Sequence, residues 1–259
     1  MKTMTMKKSY FILSLMFGLL VSATFTACGS DDDDNAGGGK GGSTKRIVKM
    51  VETGGNWEGE MSISYDAQGR VTRFLSIETG NHPTTSEKTY QYSGEQIISK
   101  EVEESQNSTS IVTYTYTLAN GLIVKEVEEQ NGRKITTTYS YDDNGYLASL
   151  SIWGNNTQSS TKNFVWENGN LTQLDSRKWT YSSIPWPQGM IFNYNGSNID
   201  YLLQATGFYG KLPKMMPSSY DSGEKRSWSV EYAVSNGYIT TMTVIQNDGD
   251  KDVTSFVWE

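Results

Sequence analysis

A single cysteine, Cys28, stands in 259 residues. No disulfide can form within the chain and no thiolate metal cluster is available, so packing alone must hold the fold. Histidine is as scarce. His82, in Gly80-Asn81-His82-Pro83, is the only one, which excludes a multi-histidine metal site and leaves a Ser/His/Asp triad no other base. Its setting reads as a solvated loop. Proline occurs five times, and no apolar spacing of three and four is sustained, so helices have little room. Basic residues number 22 against 29 acidic ones and are scattered singly, which excludes nucleic acid as a partner, because a polyanion needs clustered Lys and Arg to release its counterions.

What is present begins at the N-terminus. Lys7 and Lys8 precede an apolar run from Phe11 to Val21, followed by Phe25-Thr26-Ala27-Cys28-Gly29-Ser30. A positive start, an apolar core too short to span a bilayer and small residues before a cut mark a removed signal peptide, residues 1–27. Cys28 then becomes the lipid-bearing first residue. Removal of that segment takes three lysines and no acid, so the formal charge falls from −7 to −10, consistent with a soluble exported domain. Residues 28–45 add Ser30-Asp31-Asp32-Asp33-Asp34 and a run of Gly, Asn, Ser and Lys with almost nothing apolar, which reads as a flexible tether. The Ser30 to Asp34 stretch resembles the acidic export tag of Bacteroidota surface lipoproteins. That resemblance implies an outer-membrane lipoprotein exposed at the cell surface, held to the membrane by its lipid alone, with a periplasm-facing orientation as the alternative.

Residues 46–259 read as one domain built on an internal repeat. Alternating Thr or Ser with apolar residues leads to an aromatic anchor, a Gly-containing turn, and then Leu, Ile or Val opening the next run. The anchors are Tyr65, Tyr92, Tyr116, Tyr141, Trp166, Tyr194, Tyr232 and Trp258, at spacings of 27, 24, 25, 25, 28, 38 and 26. A unit of about 25 residues fits one hairpin of an antiparallel meander. Asn120-Gly121, Asn144-Gly145, Asn168-Gly169, Asn195-Gly196 and Asn236-Gly237 supply the turns. Asn-Gly is the strongest short hairpin signal, since both residues tolerate positive φ.

Tyr90 and Tyr92, Tyr114 and Tyr116, Tyr139 and Tyr141, Phe164 and Trp166, Phe192 and Tyr194, and Phe256 and Trp258 each sit two apart. Period two puts each pair on one face, with Thr, Ser, Gln and Asn on the other. The expectation is an all-β antiparallel meander of about 14–16 strands closed as a barrel, a size that must fill its interior or enclose a cavity. A membrane-embedded barrel is the rival, but Lys100 to Glu104 and Lys125 to Glu129 place charge on both strand faces, which is costly against lipid.

Tyr65-Asp66-Ala67-Gln68-Gly69 and Tyr141-Asp142-Asp143-Asn144-Gly145 resemble the tyrosine-aspartate repeats of large bacterial surface and toxin-shell proteins. Over about residues 45–259, the meander and the segment Gly207-Phe208-Tyr209-Gly210-Lys211-Leu212-Pro213-Lys214 with Pro217-Ser218-Ser219 resemble an uncharacterised family of Bacteroidota lipoproteins with a porin-like β-barrel fold. This resemblance implies fold and location and brings no activity, and Met215-Met216 departs from the family pattern.

Candidate sites are few. Paired carboxylates for glycoside hydrolysis would have to converge, whereas the Asp and Glu here fall in turns and on wet strand faces. Asn247-Asp248-Gly249-Asp250-Lys251-Asp252 has oxygen ligands at calcium-like spacing but lacks the downstream bidentate Glu and reads as a hairpin turn. Two segments break the alternation, Trp179 to Gln188 and an insertion from Ala205 to Ser222. Trp179, Tyr181, Trp186, Phe208 and Tyr209 either line a ligand site there or plug the barrel as core. The reading is a non-enzymatic surface lipoprotein that needs no cofactor or metal and binds a small apolar or amphiphilic ligand or a glycan in or at the end of a barrel. The alternatives are a structural or adhesive protein binding another protein by a sheet edge or outer face, and a glycoside hydrolase.

Overall fold

The computed structural model describes residues 45–55, 57–80, 82–154, 157–192, 199–222 and 227–259. Residues 1–44, with Cys28 and Ser30 to Asp34, lie outside that set, as do Tyr194 and the Asn195-Gly196 turn. The strands are β1 Ile47–Gly54, β2 Trp57–Tyr65, β3 Val71–Thr79, β4 Thr84–Ser93, β5 Gln96–Ser105, β6 Ser108–Ala119, β7 Leu122–Gln130, β8 Arg133–Tyr141, β9 Leu147–Gly154, β10 Thr157–Glu167, β11 Asn170–Leu174, β12 Arg177–Pro185, β13 Met215–Asp221, β14 Ser227–Ser235, β15 Tyr238–Gln246 and β16 Lys251–Trp258. Each pairs antiparallel with its sequence neighbours, and β1 pairs with β16, so an all-β meander of 16 strands closes as a barrel. One short helix, α1 Tyr201–Ala205, lies in the connection from β12 to β13.

Turn chemistry closes the hairpins. At Asn120-Gly121 the two central residues have φ of 51° and 78°, the pair of positive values that a type I′ turn demands and that a β-branched residue resists. Where the turn is longer, an aspartate replaces that device. Asp66 Oδ1 accepts from the Gln68 and Arg70 amides, and Asp142 Oδ1 from those of Asn144 and Tyr146. The tyrosine-aspartate pairs are therefore a strand end followed by its own turn cap.

The inner face is aromatic and aliphatic, as period two requires. Tyr90, Tyr116, Tyr139, Phe164, Trp179 and Phe256 are all buried. Outside, the barrel presents Thr, Ser, Lys and Glu interspersed with single exposed apolar residues such as Ile98, Ile111 and Val165, and exposed ion pairs Lys49–Glu60 at 2.8 Å and Glu129–Lys134 at 2.6 Å. The two ends differ. At the anchor end, where β1 begins and β16 finishes, an aromatic near the end of an even-numbered strand donates to a backbone carbonyl of the odd strand before it. These donors are Tyr65 to Ile47, Tyr92 to Val71, Tyr141 to Ile123, Trp166 to Leu147, Tyr181 to Leu171, Tyr232 to Pro217 and Trp258 to Ile239, at 2.6–2.8 Å. A ring that buries its body and hydrogen-bonds its polar tip suits the rim between core and water.

Three expectations are corrected. Tyr116 is not the anchor of its unit: Leu118 pairs with Ile123 as Tyr141 pairs with Leu147 and Trp166 with Leu171, so the anchor position in β6 is aliphatic and Tyr116 faces one layer deeper. Trp179 and Tyr181 do not break the alternation. They lie on β12, and the spacing misleads because β11 has only five residues. The insertion starts at Trp186 instead of Ala205, Phe192 belongs to it and not to a strand, and Met215–Asp221 is barrel wall.

Candidate functional site

Sixteen strands enclose more space than their own side chains fill. At the anchor end the described residues of the connection, 186–192 and 199–214, fold into that space, burying Met190, Ile191, Ile199, Leu202, Leu203 and Tyr209. Backbone bonds tie it to the hairpin turns, from Ile123 N to Phe208 O at 2.9 Å, from Lys211 N to Gly145 O at 2.9 Å and from Lys214 N to Gly169 O at 3.0 Å. This segment is a plug.

Its polar fastening is Asp200, the N-cap of α1. Oδ1 accepts from the Leu202 and Leu203 amides at 3.0 and 3.2 Å, satisfying two of the orphan donors of the helix start. Oδ2 faces the barrel wall and accepts from Lys88 Nζ at 2.9 Å, Tyr90 at 2.9 Å and Tyr116 at 3.2 Å. Burial alone would raise the Asp200 carboxyl, but the Lys88 ammonium and these hydrogen bonds outweigh it and hold it below the usual carboxylate range. Lys88 also reaches Glu101 at 3.5 Å and lies 4.2 Å from the centre of the Tyr114 ring. Burial would lower its pKa; Asp200 and Glu101 reverse the sign and raise it.

Next to this cluster, Glu126 Oε2 accepts from Tyr139 at 2.8 Å and from Tyr209 of the plug at 3.2 Å. Here burial wins over the two hydroxyls, and the carboxyl is pushed up to about 7. Wall and plug cover Glu126 and Asp200, so their chemistry is that of a fastening.

The sequence-predicted site residues fall on or beside this plug. Tyr209 is 1% exposed, Phe208 stacks on Tyr92 with ring centroids 5.8 Å apart, and the Tyr181 hydroxyl is engaged by Leu171 O. Trp186 donates its amide to Lys214 O and lies 6.3 Å from Phe192. Trp179 differs. It is buried, yet its indole Nε1 has no hydrogen-bond partner among the described residues.

Trp179 opens a row toward the other end, the mouth. It pairs across the strands with Tyr220, and Tyr220 with Trp228. Tyr220 and Trp228 are stacked at 4.9 Å and 15°, and both are half-buried. The sequence signal for this row is present in Tyr220 and Trp228, but Tyr220 falls inside the stretch read as an insertion and Trp228 has no aromatic two residues away. One flank of the row is basic. Lys162 and Arg177 face inward one step toward the mouth from Phe164 and Trp179, and burial together with the Arg177 charge holds the Lys162 ammonium below its usual range. The other flank is acidic. Asp252 accepts from Gln246 at 3.2 Å, and burial, then Asp252 and Glu78, push the Glu52 carboxyl up to about 7. Among the described residues no group of three or more His, Cys, Asp or Glu is arranged to hold a metal ion, and His82 is exposed in the β3–β4 turn.

No sequence among curated proteins matches the chain. Among solved structures it is similar to a porin-like protein from Bacteroides uniformis, at 15% identity and a TM-score of 0.61, with 82% of this chain and 98% of that one covered. It is also similar to a porin-like protein from Bacteroides vulgatus, at 13% identity and a TM-score of 0.45, with 83% and 99% covered. At such identities the likeness concerns the fold alone. The family described as "Domain of unknown function (DUF4595) with porin-like fold" matches residues 63–255, from within β2 into β16, and the chain belongs to that family.

Proposed function

We propose that this is a non-enzymatic surface lipoprotein, anchored by lipid on Cys28, whose barrel stands in water and holds a small ring-bearing or amphiphilic ligand, a glycan included, in its mouth. The observation that carries the reading is the Tyr220–Trp228 stack, half-buried on the inner wall. A flat aromatic face accepts the apolar face of a sugar ring or an alkyl chain. In this reading Trp179 belongs to the site, and Tyr181, Trp186, Phe208 and Tyr209 belong to the plug. The outer face supports an anchored over a spanning barrel, because Lys100 and Lys125 are exposed on it in mid-strand, where a spanning barrel needs an apolar band.

Protein binding is the second reading. Closure of β1 on β16 removes the free sheet edge, so a protein partner has only the outer face or the loops. Titration of intrinsic fluorescence with oligosaccharides and fatty acids tests the first reading. A saturable change that disappears in Trp228→Ala is expected, and its absence across both ligand classes contradicts the proposal. Metabolic labelling with a palmitate analogue, lost in Cys28→Ala, tests the anchor.

A further inference from the structure

A second aromatic surface faces the mouth, and two glycines make room for it. On β2, Trp57, Gly59, Met61 and Ile63 alternate toward the inside, and Trp57 is half-buried at the mouth end of that row. Trp57 pairs with Gly54 of β1, and Gly59 pairs with Glu52. A Cβ on Gly59 would stand 3.3 Å from Cζ3 of the Trp57 ring, and one on Gly54 would stand 3.0 Å from its Nε1 and collide with Asp252 Oδ1. The indole thus lies along the wall across both glycines. Glycine weakens a strand and marks a place where another group comes close to the backbone, and here that group is a ring at the mouth.

The wall between this ring and the Tyr220–Trp228 stack is continuous in register. Trp228 pairs with Gln246; Val244, two residues earlier on β15, pairs with Asp252, and Asp252 pairs with Gly54. From β14 through β15, β16 and β1 to β2 is four strand spacings of about 4.8 Å, about 19 Å along the wall. That stretch carries the Gln246 amide, hydrogen-bonded to Asp252 at 3.2 Å, and the Glu52 carboxyl, which burial, Asp252 and Glu78 push up to about 7, so that it keeps a proton near neutral pH. Donors and acceptors for hydroxyl groups therefore lie between two aromatic surfaces. The carboxylate of Asp252, and that of Glu78 beyond Trp57, where it accepts from Thr84 at 3.1 Å, repel the head group of a fatty acid. Resting on the ligand reading above, we propose that the ligand is an uncharged oligosaccharide that spans this wall, with one ring on Tyr220 and Trp228, another on Trp57, and hydroxyls between them meeting Gln246 and Asp252. Trp57 is a second subsite, too far from the first for one sugar ring to touch both, so affinity rises with chain length.

Calorimetric titration of the full-length protein in detergent tests this with disaccharides and hexasaccharides of the β-1,4-glucan and α-1,4-glucan series and with oleate. In at least one series the hexasaccharide is expected to bind about tenfold tighter than the disaccharide, the increment of a second stacked ring, and to hold that affinity as salt rises from roughly 50 to 500 mM, since no charge is paired. Trp57→Ala should bring the hexasaccharide down to the affinity of the disaccharide and leave disaccharide binding unchanged, which shows that the fold and the Trp228 surface persist. Trp57→Leu, which keeps apolar volume over the two glycines but no flat ring, carries the same test if the smaller residue fails to fold. A hexasaccharide no tighter than the disaccharide in either series, or unaltered hexasaccharide affinity in these variants, overturns the second subsite. An affinity that salt abolishes overturns the uncharged assignment. Binding of oleate and of no sugar, lost in Trp228→Ala, overturns the oligosaccharide and leaves the mouth site standing, whereas no response to sugar or oleate means that the underlying site has failed too.

Discussion

Asp200 Oδ2 and Lys88 Nζ meet at 2.9 Å inside the barrel, a carboxylate from the plug and an ammonium from the wall 112 positions earlier in the chain. Because the same oxygen also takes the Tyr90 and Tyr116 hydroxyls, the contact fixes where the plug sits as well as that it is inside. Removal of Asp200 leaves buried Lys88 only the longer contact with Glu101 at 3.5 Å and uncaps α1. Asp200→Ala should cost about 4 kcal/mol, the range for breaking a buried pair, whereas Lys88→Met with Asp200→Leu should cost much less. Guanidinium unfolding of the two variants measures both.

Glu126 gives the barrel a pH dependence of definite sign. Its carboxyl titrates at about 7 in the folded protein against an ordinary value of 4.5, so the folded state holds the proton more tightly than the unfolded chain does. The stabilisation is complete below the unfolded value and is lost as pH rises through about 7. Glu126→Gln keeps an acceptor for Tyr139 and removes the titration. Thermal melts between about pH 4.5 and 8.5 should show Glu126→Gln losing up to about 3 kcal/mol less than wild type over that interval and standing above it at the alkaline end, the remaining decline belonging to Glu52, whose carboxyl is also pushed up to about 7. Asp200, held low, acts in the opposite sense, its contribution lost as pH falls through its folded value.

The anchors should behave as separate small terms. Tyr65→Phe and Tyr141→Phe each remove one hydroxyl from a backbone carbonyl at the rim and should cost about 1 kcal/mol. Their sites lie on different hairpins, so the double variant should be additive within a few tenths of a kcal/mol. Urea midpoints of the two singles and the double decide this.

Plug and mouth are separable by mutation. Phe208→Ala, which leaves a hole beside Tyr92, should destabilise the protein by about 3 kcal/mol. Trp228→Ala, which also gives up an edge-on contact with Phe192 of the plug at 6.3 Å, should destabilise the protein less than Phe208→Ala and abolish ligand response. The reverse pattern, a stable Phe208→Ala without binding, would return the site to the plug.

Much of the fold was legible because its causes are local. Asn-Gly turns, period-two aromatics and a unit of about 25 residues specify an antiparallel meander from within each hairpin, and they led to 14–16 strands where 16 are found. The errors cluster where the unit changes length. β11 is short, Leu118 replaces an aromatic, and the plug contains Phe192 with strand-like spacing although it forms no strand. The fastening was not legible at all. Lys88, Glu101 and Glu126 fall within strands rich in charge, and only the curvature of a closed sheet and the return of Asp200 through the lumen bring Lys88 to its partner. The aromatic row of the mouth depends likewise on cross-strand register between β12, β13 and β14, which a 29-residue interruption conceals.

The central claim is a barrel sealed by its own plug at one end and occupied by a ligand at the other. Native mass spectrometry of the full-length protein, extracted gently from its host alongside Trp228→Ala, tests it most directly. The account predicts a bound small molecule of defined mass on wild type that is missing from the variant. A wild-type mass with nothing bound, or the same adduct retained by Trp228→Ala, would contradict it.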